Sequence, residues 1–287
     1  MTSNKKRFFP IAAAILVLAL VLGACGSNNT NKGSNNNAPS PTPSAQTSNL
    51  LDQVKESGVL KVGLMGTYAP YNFTNEKNEI DGFDADIAKE IAKRLGVKVE
   101  FTAQDFSGLI SSLQAKKFDA IISQVTITDE RKKVIDFTEP YITNEVKIIV
   151  PEKNTTITKL EDFKGKNIGV GLGTNDETYL RDVAIPQVGK FTIKTYDDVI
   201  TSLQDLNAGR IDATINNIHA LKPIVDKNGF KIKAVGEAIK ADSAGIAVRK
   251  DNPEFRDALD KALKDLKADG TYDTIFEKWF GEKPAAQ

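Results

Sequence analysis

One motif occurs twice in the sequence, as DFSGLISSLQAKKFDAIISQ at residues 105–124 and as DVITSLQDLNAGRIDATINN at residues 198–217. At a constant offset of 93 residues, the two copies are identical at the pairs Asp105/Asp198, Leu113/Leu206, Ala115/Ala208, Asp119/Asp212 and Ala120/Ala213. Each copy reads as an amphipathic helix, a polar turn, and Asp-Ala at the start of an apolar strand. Any helix–turn–strand unit resembles another to some degree, but these identities fall in register without a gap. We therefore interpret the chain as two lobes built on one plan.

Each copy ends in a pair of polar residues at the carboxyl end of its apolar strand. The pair is Ser123-Gln124 in the first copy and Asn216-Asn217 in the second. In open α/β sheets this edge faces the crevice in which ligands bind. Two such edges, facing each other across a cleft, would form a binding site.

Short β-rich segments and helical patterns alternate on both sides of the repeat. The predicted strands are 60–64, 97–102, 119–125, 145–150, 167–171, 191–195, 211–215 and 231–235. The predicted helices are 84–95, 175–184, 197–208, 218–227 and one that starts at Asn252-Pro253 and ends at Gly270. Alternation of this kind is typical of α/β folds, in which helices cover both faces of a parallel sheet.

Composition excludes several classes of function. The chain has 287 residues, which allows two domains, with 38 Lys and Arg, 38 Asp and Glu, and a single cysteine. The balanced charge, without a basic block, argues against nucleic-acid binding. One cysteine excludes an internal disulfide, a cysteine-based zinc site and a CxxC redox pair. We expect no metal and no cofactor.

The N-terminus has the pattern of a secretory signal. Three basic residues at 5–7 precede an apolar run at 11–22 that is short for a bilayer span. Leu22-Gly23-Ala24-Cys25 resembles the bacterial lipobox, which implies that 1–24 is a lipoprotein signal peptide and that Cys25 carries the lipid. The protein would then be exported and anchored to the outer face of the bacterial cytoplasmic membrane. The alternative is an uncleaved anchor helix with a chance cysteine.

The segment after Cys25 cannot form a core. Residues 26–49 contain no apolar side chain larger than Ala or Pro, so 25–49 reads as a lipidated cysteine followed by a disordered tether. A coil of this length spans roughly 25–30 Å. It would hold the folded part, from residue 50 onward, near the membrane but clear of its surface.

Several motifs follow one another in a characteristic order. They are GTYAPY at 66–71, GFDADI at 82–87, DFSG at 105–108, TITDER at 126–131, GTY at 270–272 and KWFG at 278–281. In this order they resemble the polar amino acid class of bacterial extracellular solute-binding proteins, family 3, over about residues 52–282. GTYAP, the Gln-Val-Thr before Ile127, and ATIN at 213–216 are most similar to the cystine-binding lipoproteins.

The resemblance implies a two-lobed, periplasmic-binding-protein-like fold of type II, in which each lobe is a sheet flanked by helices and two hinge strands cross over. The hinge would lie near 143–147 and 240–244. Lobe 1 would comprise 50–143 with 245–287, and lobe 2 would comprise 148–240. It also implies a monomer that captures a polar amino acid by closure of the lobes and delivers it to an ABC permease.

A free α-amino acid presents a carboxylate, an ammonium and a side chain. Arg131 resembles the family's carboxylate ligand, because a guanidinium fork pairs with two oxygens. An arginine beside Asp129 and Glu130 would otherwise be read as a surface residue. The resemblance implies that the hydroxyl of Thr126 contacts the ligand's charged end, and that the backbone carbonyl of Gln124 contacts its ammonium.

The remaining candidates complete the walls of the site. Tyr68 and Phe106 resemble the aromatic walls that sandwich the ligand, although they could equally be core residues. In 171–175 the glycines allow close approach of the backbone, and the N–H groups at a helix start attract an anion. The resemblance therefore adds Gly171, Thr174 and Asn175. A dinucleotide fingerprint is rejected, because the third glycine is missing.

Two positions depart from the family pattern. Asn217 stands where the family usually has an aspartate that holds the ligand's ammonium, and Met65 stands where some relatives have a polar residue. A neutral hydrogen bond contributes about 1 kcal/mol and a charge-assisted one about 1.5–3 kcal/mol. We expect Asn217 to contact the ligand, and either to weaken the binding of ordinary α-amino acids or to mark a ligand with a modified or absent ammonium.

Two other functions stay open. A sensory or non-transport lipoprotein would keep the fold without a permease. A dehydratase-like enzyme would need a general acid in the cleft. None of the candidates forms a nucleophile–base pair, so we predict no catalytic residue.

Overall fold

A computed structural model describes residues 49–284 of the chain. Cys25, the predicted signal peptide and the predicted tether up to residue 48 lie outside the described residues. The helices are α1 (Leu50–Ser57), α2 (Phe83–Leu95), α3 (Leu109–Gln114), α4 (Asp129–Lys132), α5 (Asn175–Tyr179), α6 (Ile185–Val188), α7 (Val199–Asn207), α8 (Ile218–Asn228), α9 (Pro253–Ala268) and α10 (Thr271–Phe280).

The strands build one large sheet and one small one. They are β1 (Val59–Leu64), β2 (Thr67–Tyr68), β3 (Asn72–Thr74), β4 (Ile80–Asp81), β5 (Lys98–Ala103), β6 (Ala120–Ile121), β7 (Ile135–Pro151), β8 (Asn167–Gly171), β9 (Thr192–Tyr196), β10 (Ala213–Asn217) and β11 (Ile232–Arg249). The large sheet has the order β5-β1-β6-β11-β7-β10-β8-β9, and the small sheet has the order β2-β3-β4.

The large sheet consists of two parallel halves joined by two long antiparallel strands. β1 pairs in parallel with β5 and β6, and β8 pairs in parallel with β9 and β10. β7 and β11 pair with each other between these halves. We call β1, β5 and β6 with helices α1–α4, α9 and α10 the first lobe, and β8, β9 and β10 with helices α5–α8 the second lobe.

The structure places the two copies of the repeated motif in equivalent positions. Asp119 donates its N–H to the carbonyl of Lys61 at 2.8 Å, and its carboxylate accepts the N–H of Lys61 at 3.0 Å. Asp212 forms the same pair of bonds with Asn167, at 2.8 and 2.7 Å. In each lobe this aspartate therefore fixes the strand of the motif beside the neighbouring parallel strand.

The helix and the turn of the motif are equivalent as well. Leu113 and Leu206 are both fully buried in the helices that precede the turn. The turn itself needs a left-handed residue, which is Lys116 with φ of 61° in the first lobe and Gly209 with φ of 72° in the second. This conformation suits glycine better than a residue with a side chain.

The two crossing strands differ from the sequence-based prediction. The segments 145–150 and 231–235 are only parts of β7 and β11, which have 17 and 18 residues. The missed parts include polar residues, such as Thr143 and Ser243, whose hydroxyl oxygens lie 2.9 Å apart. The missed parts also contain Pro140 in β7, and Gly236 and Gly245 in β11, which are residue types that are depleted in strands. The predicted hinge and lobe boundaries stay predictions.

The predicted strand 119–125 is also wrong in its length, because β6 ends at Ile121. The chain leaves the strand at Ser123, whose hydroxyl accepts the N–H of Met65 at 3.0 Å, and turns at Gln124 with φ of 55°. A positive φ cannot continue a strand. The predicted helix 175–184 consists of α5 and a π-helical segment, Leu180–Ala184.

The C-terminal helices return to the first lobe. Phe83 of α2 is fully buried, and its ring centroid lies 5.1–6.1 Å from those of Tyr141, Tyr272, Phe276 and Phe280. α9 and α10 pack against α2, and α1 packs against α9. The described chain therefore begins and ends in the same lobe.

Candidate functional site

A cavity of about 670 Å³, which includes space open to solvent, lies where the polar strand ends of the two lobes meet. Residues predicted from the sequence that line it are Tyr68, Phe106, Gln124, Thr126, Gly171, Thr174, Asn175 and Asn217. Lining residues that were not predicted as ligand contacts include Met65, Ser123, Asp176, Tyr196, Asp197, Asp198, Asn216 and Asp242. The structure thus brings residues from both copies of the motif to one cavity.

Arg131 is not among the residues that line this cavity, but it contacts Thr126 and Phe106, which do line it. Nη1 donates to the carbonyl of Thr126 at 2.9 Å, and Nη2 donates to the carbonyl of Gly173, in the second lobe, at 3.3 Å. The guanidinium carbon lies 5.6 Å from the ring centroid of Phe106. Helix α4 holds the arginine there, because Thr128 caps the helix by accepting the N–H of Arg131 at 3.2 Å.

The charge of Arg131 is incompletely compensated. Burial lowers the pKa of Arg131, and the negative charges of Asp176 and Asp242 partly offset this effect. Within residues 49–284, neither carboxylate comes within 4.0 Å of the guanidinium to form an ion pair. A partly desolvated cation of this kind gains free energy when an anionic group of a ligand reaches it.

Gln124 turns its side chain away from the cavity and into the first lobe. Its Nε2 donates to Oδ1 of Asp84 at 2.6 Å, and its Oε1 accepts from Asn144 at 2.8 Å. Its backbone N–H donates to the hydroxyl of Tyr141 at 2.9 Å. The hydrogen bonds formed among residues 49–284 leave its carbonyl oxygen without a donor, so that oxygen can accept from a ligand.

Asp84 is a fully buried acid behind Gln124. Its carboxylate accepts hydrogen bonds from Asn72 at 2.6 Å, from Gln124, and from the hydroxyl of Tyr141 at 2.9 Å. Burial raises the pKa of Asp84 to about 7, and the three hydrogen bonds act in the opposite direction. GFDADI was recognised as a motif, but no sequence pattern indicated that its first aspartate, Asp84, holds the side chain of Gln124 from the interior of the lobe.

Tyr68 links the lobes at the other side of the cavity. Its hydroxyl donates to Oδ1 of Asn216 at 2.5 Å, and the same oxygen accepts the N–H of Asn217 at 2.7 Å. Burial raises the pKa of the tyrosine well above its usual value, and the charge of Asp176 raises it further. Asn216 was missed as a contact, although its place at the carboxyl end of a strand was visible in the sequence.

The segment 171–175 forms a tight turn before α5. The hydroxyl of Thr174 donates to the carbonyl of Gly171 at 2.7 Å and accepts the N–H of Glu177 at 3.2 Å. This hydroxyl therefore caps the helix. Gly173 has φ of 72°, and a Cβ there would lie 3.1 Å from Cα of Ser107 in the first lobe. A glycine at this position lets the two lobes approach closely.

A group of charged side chains lies beside this turn, and no sequence pattern indicated it. Nζ of Lys240 lies 2.7 Å from Oδ1 of Asp176 and also pairs with Oδ2 of Asp242. Asn175 donates to Oδ2 of Asp242 at 3.1 Å. Burial raises the pKa of Asp176, while Lys240 acts to lower it. The two aspartates come from different elements, so their proximity follows from the fold.

Residues 49–284 contain neither a group of metal-ligating side chains nor a membrane-spanning helix. No three His, Cys, Asp or Glu side chains there are grouped as metal ligands would be. None of the helices in that range combines the length and the apolar character of a membrane span.

Comparisons with known proteins identify the family and the fold of this chain. The family profile of the bacterial extracellular solute-binding proteins, family 3, matches residues 60–282. The L-cystine-binding protein TcyJ of Escherichia coli (strain K12) is 41% identical over 233 residues, which are 81% of this chain and 86% of that protein. The putative amino-acid ABC transporter-binding protein PatH of Vibrio harveyi is 34% identical over 230 residues, 79% of this chain and 91% of that protein.

A solved structure of an ancestral arginine-binding protein bound to arginine has the same fold. It superposes with a TM-score of 0.74 at 44% identity, covering 78% of this chain and 99% of that chain. The expected two-lobed, type II α/β fold is therefore confirmed.

Proposed function

Because the chain belongs to the bacterial extracellular solute-binding proteins, family 3, we propose that it is the substrate-binding lipoprotein of an ABC importer. It captures a polar α-amino acid, cystine-like or other, and delivers it to a membrane permease. The relatives named for cystine and for an amino-acid ABC transporter support this proposal.

The observation that carries the proposal is the pairing of recognition groups from two lobes across one cavity. Arg131 offers a cation to the ligand's carboxylate, while the carbonyl of Gln124 and the amide oxygen of Asn217 offer acceptors to its ammonium. Tyr68 and Phe106 supply aromatic walls. A free amino acid carries a complementary set of groups, and buried polar groups of this kind need partners.

Closure of the two lobes is the proposed means of capture. Contacts that cross the cavity are short, such as Tyr68 to Asn216 at 2.5 Å and Arg131 to the carbonyl of Gly173 at 3.3 Å. A ligand that entered would be enclosed by the same residues. The energy of these contacts would then depend on the occupant of the cleft, which is how a binding protein couples ligand to conformation.

The cellular arrangement follows from the N-terminal pattern. The proposed protein is a monomer, exported and held by a lipid on Cys25 at the outer face of the cytoplasmic membrane. A sensory lipoprotein on the same fold would differ by lacking a permease. Permease and ATPase genes beside this gene would favour transport over sensing.

An enzyme would need a general acid in the cleft. Asp176 is a carboxylate in that position, but its Oδ1 already pairs with Nζ of Lys240 at 2.7 Å. We therefore propose binding without turnover. Recovery of the ligand unchanged after long incubation, followed by mass spectrometry, would support binding, whereas a dehydrated product would support the enzyme.

A thermal-shift screen of the twenty amino acids and cystine tests the proposed function. A ligand at 100 times its dissociation constant stabilises the folded protein by about 2.7 kcal/mol. For a folded unit of this size that corresponds to a rise in Tm of about 5–10 °C. Glucose at the same concentration is the control and should give no shift. Absence of a shift with every amino acid would contradict the proposal.

A further inference from the structure

The charged groups beside the cleft are not all paired within 4.0 Å of a group of opposite charge. Asp176 and Asp242 share the single ammonium of Lys240, which leaves one negative charge in this group. Arg131 approaches from the first lobe without pairing with either carboxylate. An amino acid brings an anion and a cation together, so it can satisfy both of these groups at once.

Of the two carboxylates, Asp176 has the slightly more exposed side chain, 19% against 15% for Asp242. Oδ2 of Asp242 is occupied by Lys240 and by Nδ2 of Asn175. The hydrogen bonds formed among residues 49–284 leave Oδ2 of Asp176 without a donor, while its Oδ1 faces Lys240. Asp176 lines the cavity and is only half-buried, so a ligand can reach this oxygen.

Asp176 lines the same cavity as Asn217, which stands where the family usually has its ammonium-binding aspartate. Tyr68 hydrogen-bonds to Asn216 beside Asn217, and the charge of Asp176 is felt at this same tyrosine. The charge of Asp176 acts on Arg131 as well. The carboxylate therefore lies within electrostatic reach of both proposed ends of the ligand's charged group.

We propose that Asp176 accepts the α-ammonium of the ligand and so replaces the charge that Asn217 lacks. The inference rests on the proposed function, since it assumes an amino acid with its carboxylate at Arg131. It assigns the chain to ordinary zwitterionic α-amino acids, rather than to ligands with a modified or absent ammonium. Lys240 and Asp242 act as positioning residues that orient the carboxylate of Asp176.

The test compares Asp176→Asn with the wild type by calorimetry, using L-cystine and L-arginine as probes. Each probe has a matched analogue without the α-amino group, 3,3′-dithiodipropionate for cystine and 5-guanidinopentanoate for arginine. Asp176→Asn should lower the affinity for whichever of the two amino acids binds by about tenfold or more, because a charged acceptor becomes neutral. The affinity for its analogue should change by less than about threefold.

Asp182→Asn is the matched control, because this aspartate is exposed on the same helical segment. It removes the same charge away from the cavity and should leave the affinity for both probes unchanged. A second variant tests compensation directly. In the Asp176→Asn background, Asn217→Asp should restore most of the lost affinity, whereas in the wild type it should add less than about threefold.

The outcomes separate this inference from the proposed function. If the wild type binds an amino acid and Asp176→Asn binds it equally well, this inference is wrong and the proposed function stands. Equal losses for the amino acid and its analogue would assign Asp176 a structural role and would also overturn the inference. If the wild type binds no amino acid, the proposed function fails and the inference fails with it.

Discussion

Replacing Arg131 with methionine is expected to reduce the affinity for an amino acid by at least about thirtyfold. The side chain of methionine fills much of the same volume, but it cannot pair with a carboxylate. Removing one partner of a buried, hydrogen-bonded charge pair costs about 2–5 kcal/mol, which corresponds to a factor of about 30 to several thousand in affinity. Arg131 also donates to Thr126 and Gly173, so the variant loses a contact between the lobes.

Calorimetric titration with the amino acid that gives the largest thermal shift measures this effect. Lys132→Ala is the control, since Lys132 is the next residue of the same helix and is exposed. Arg131→Lys keeps the charge but loses the planar fork, and we expect an intermediate loss. If the affinity of Arg131→Met lies within threefold of that of the wild type, Arg131 does not contact the ligand.

Replacing Asp84 with alanine is expected to lower the free energy of unfolding by at least about 3 kcal/mol. The carboxylate accepts from Asn72, Gln124 and Tyr141, and each buried donor that loses its partner costs about 1–3 kcal/mol. The removed atoms also leave a small cavity. Urea denaturation followed by circular dichroism measures the change, with the exposed Asp226→Ala as the control.

The pH dependence of stability separates the charge of Asp84 from its shape. Its pKa in the folded protein, about 7, is raised above the ordinary value of 3.8. The folded state therefore holds this proton more tightly than the unfolded state. Stability from the neutral acid is complete below about pH 4 and is lost as the pH rises through 7, by about 4 kcal/mol in total.

Asp84→Asn removes this titration while keeping the size of the side chain. The unfolding free energy of the wild type minus that of Asp84→Asn should be largest near pH 4 and should fall as the pH rises to 8. Asp226→Asn should run parallel to the wild type over the same range. If the Asp84→Asn and wild-type curves are parallel as well, Asp84 does not titrate in this range.

Much of the architecture could be predicted from the repeated motif. The pairs Asp119/Asp212 and Leu113/Leu206 were identical in sequence and are equivalent in structure, because the same local physics fixes a strand beside its parallel neighbour. The polar residues Gln124, which follows β6, and Asn217, which ends β10, could also be recognised from the sequence. They end apolar strands, and such ends meet at one edge of a sheet.

The parts that were missed depend on contacts between distant segments. Asp176 and Asp242 are 66 positions apart in number, and no local pattern indicates that Lys240 joins them. The inward turn of Gln124 depends on Asp84, which lies 40 residues earlier. The prediction found only one part of each crossing strand, because Pro140 interrupts the pattern of β7, and Gly236 and Gly245 interrupt that of β11.

The position of the chain ends has a mechanical consequence. α1 and α10 both belong to the first lobe, and the second lobe is an insertion between β7 and β11. A restraint applied at the start of the described chain would hold the first lobe in place. In the proposed closure, the second lobe would then be the part that moves, about the paired strands β7 and β11.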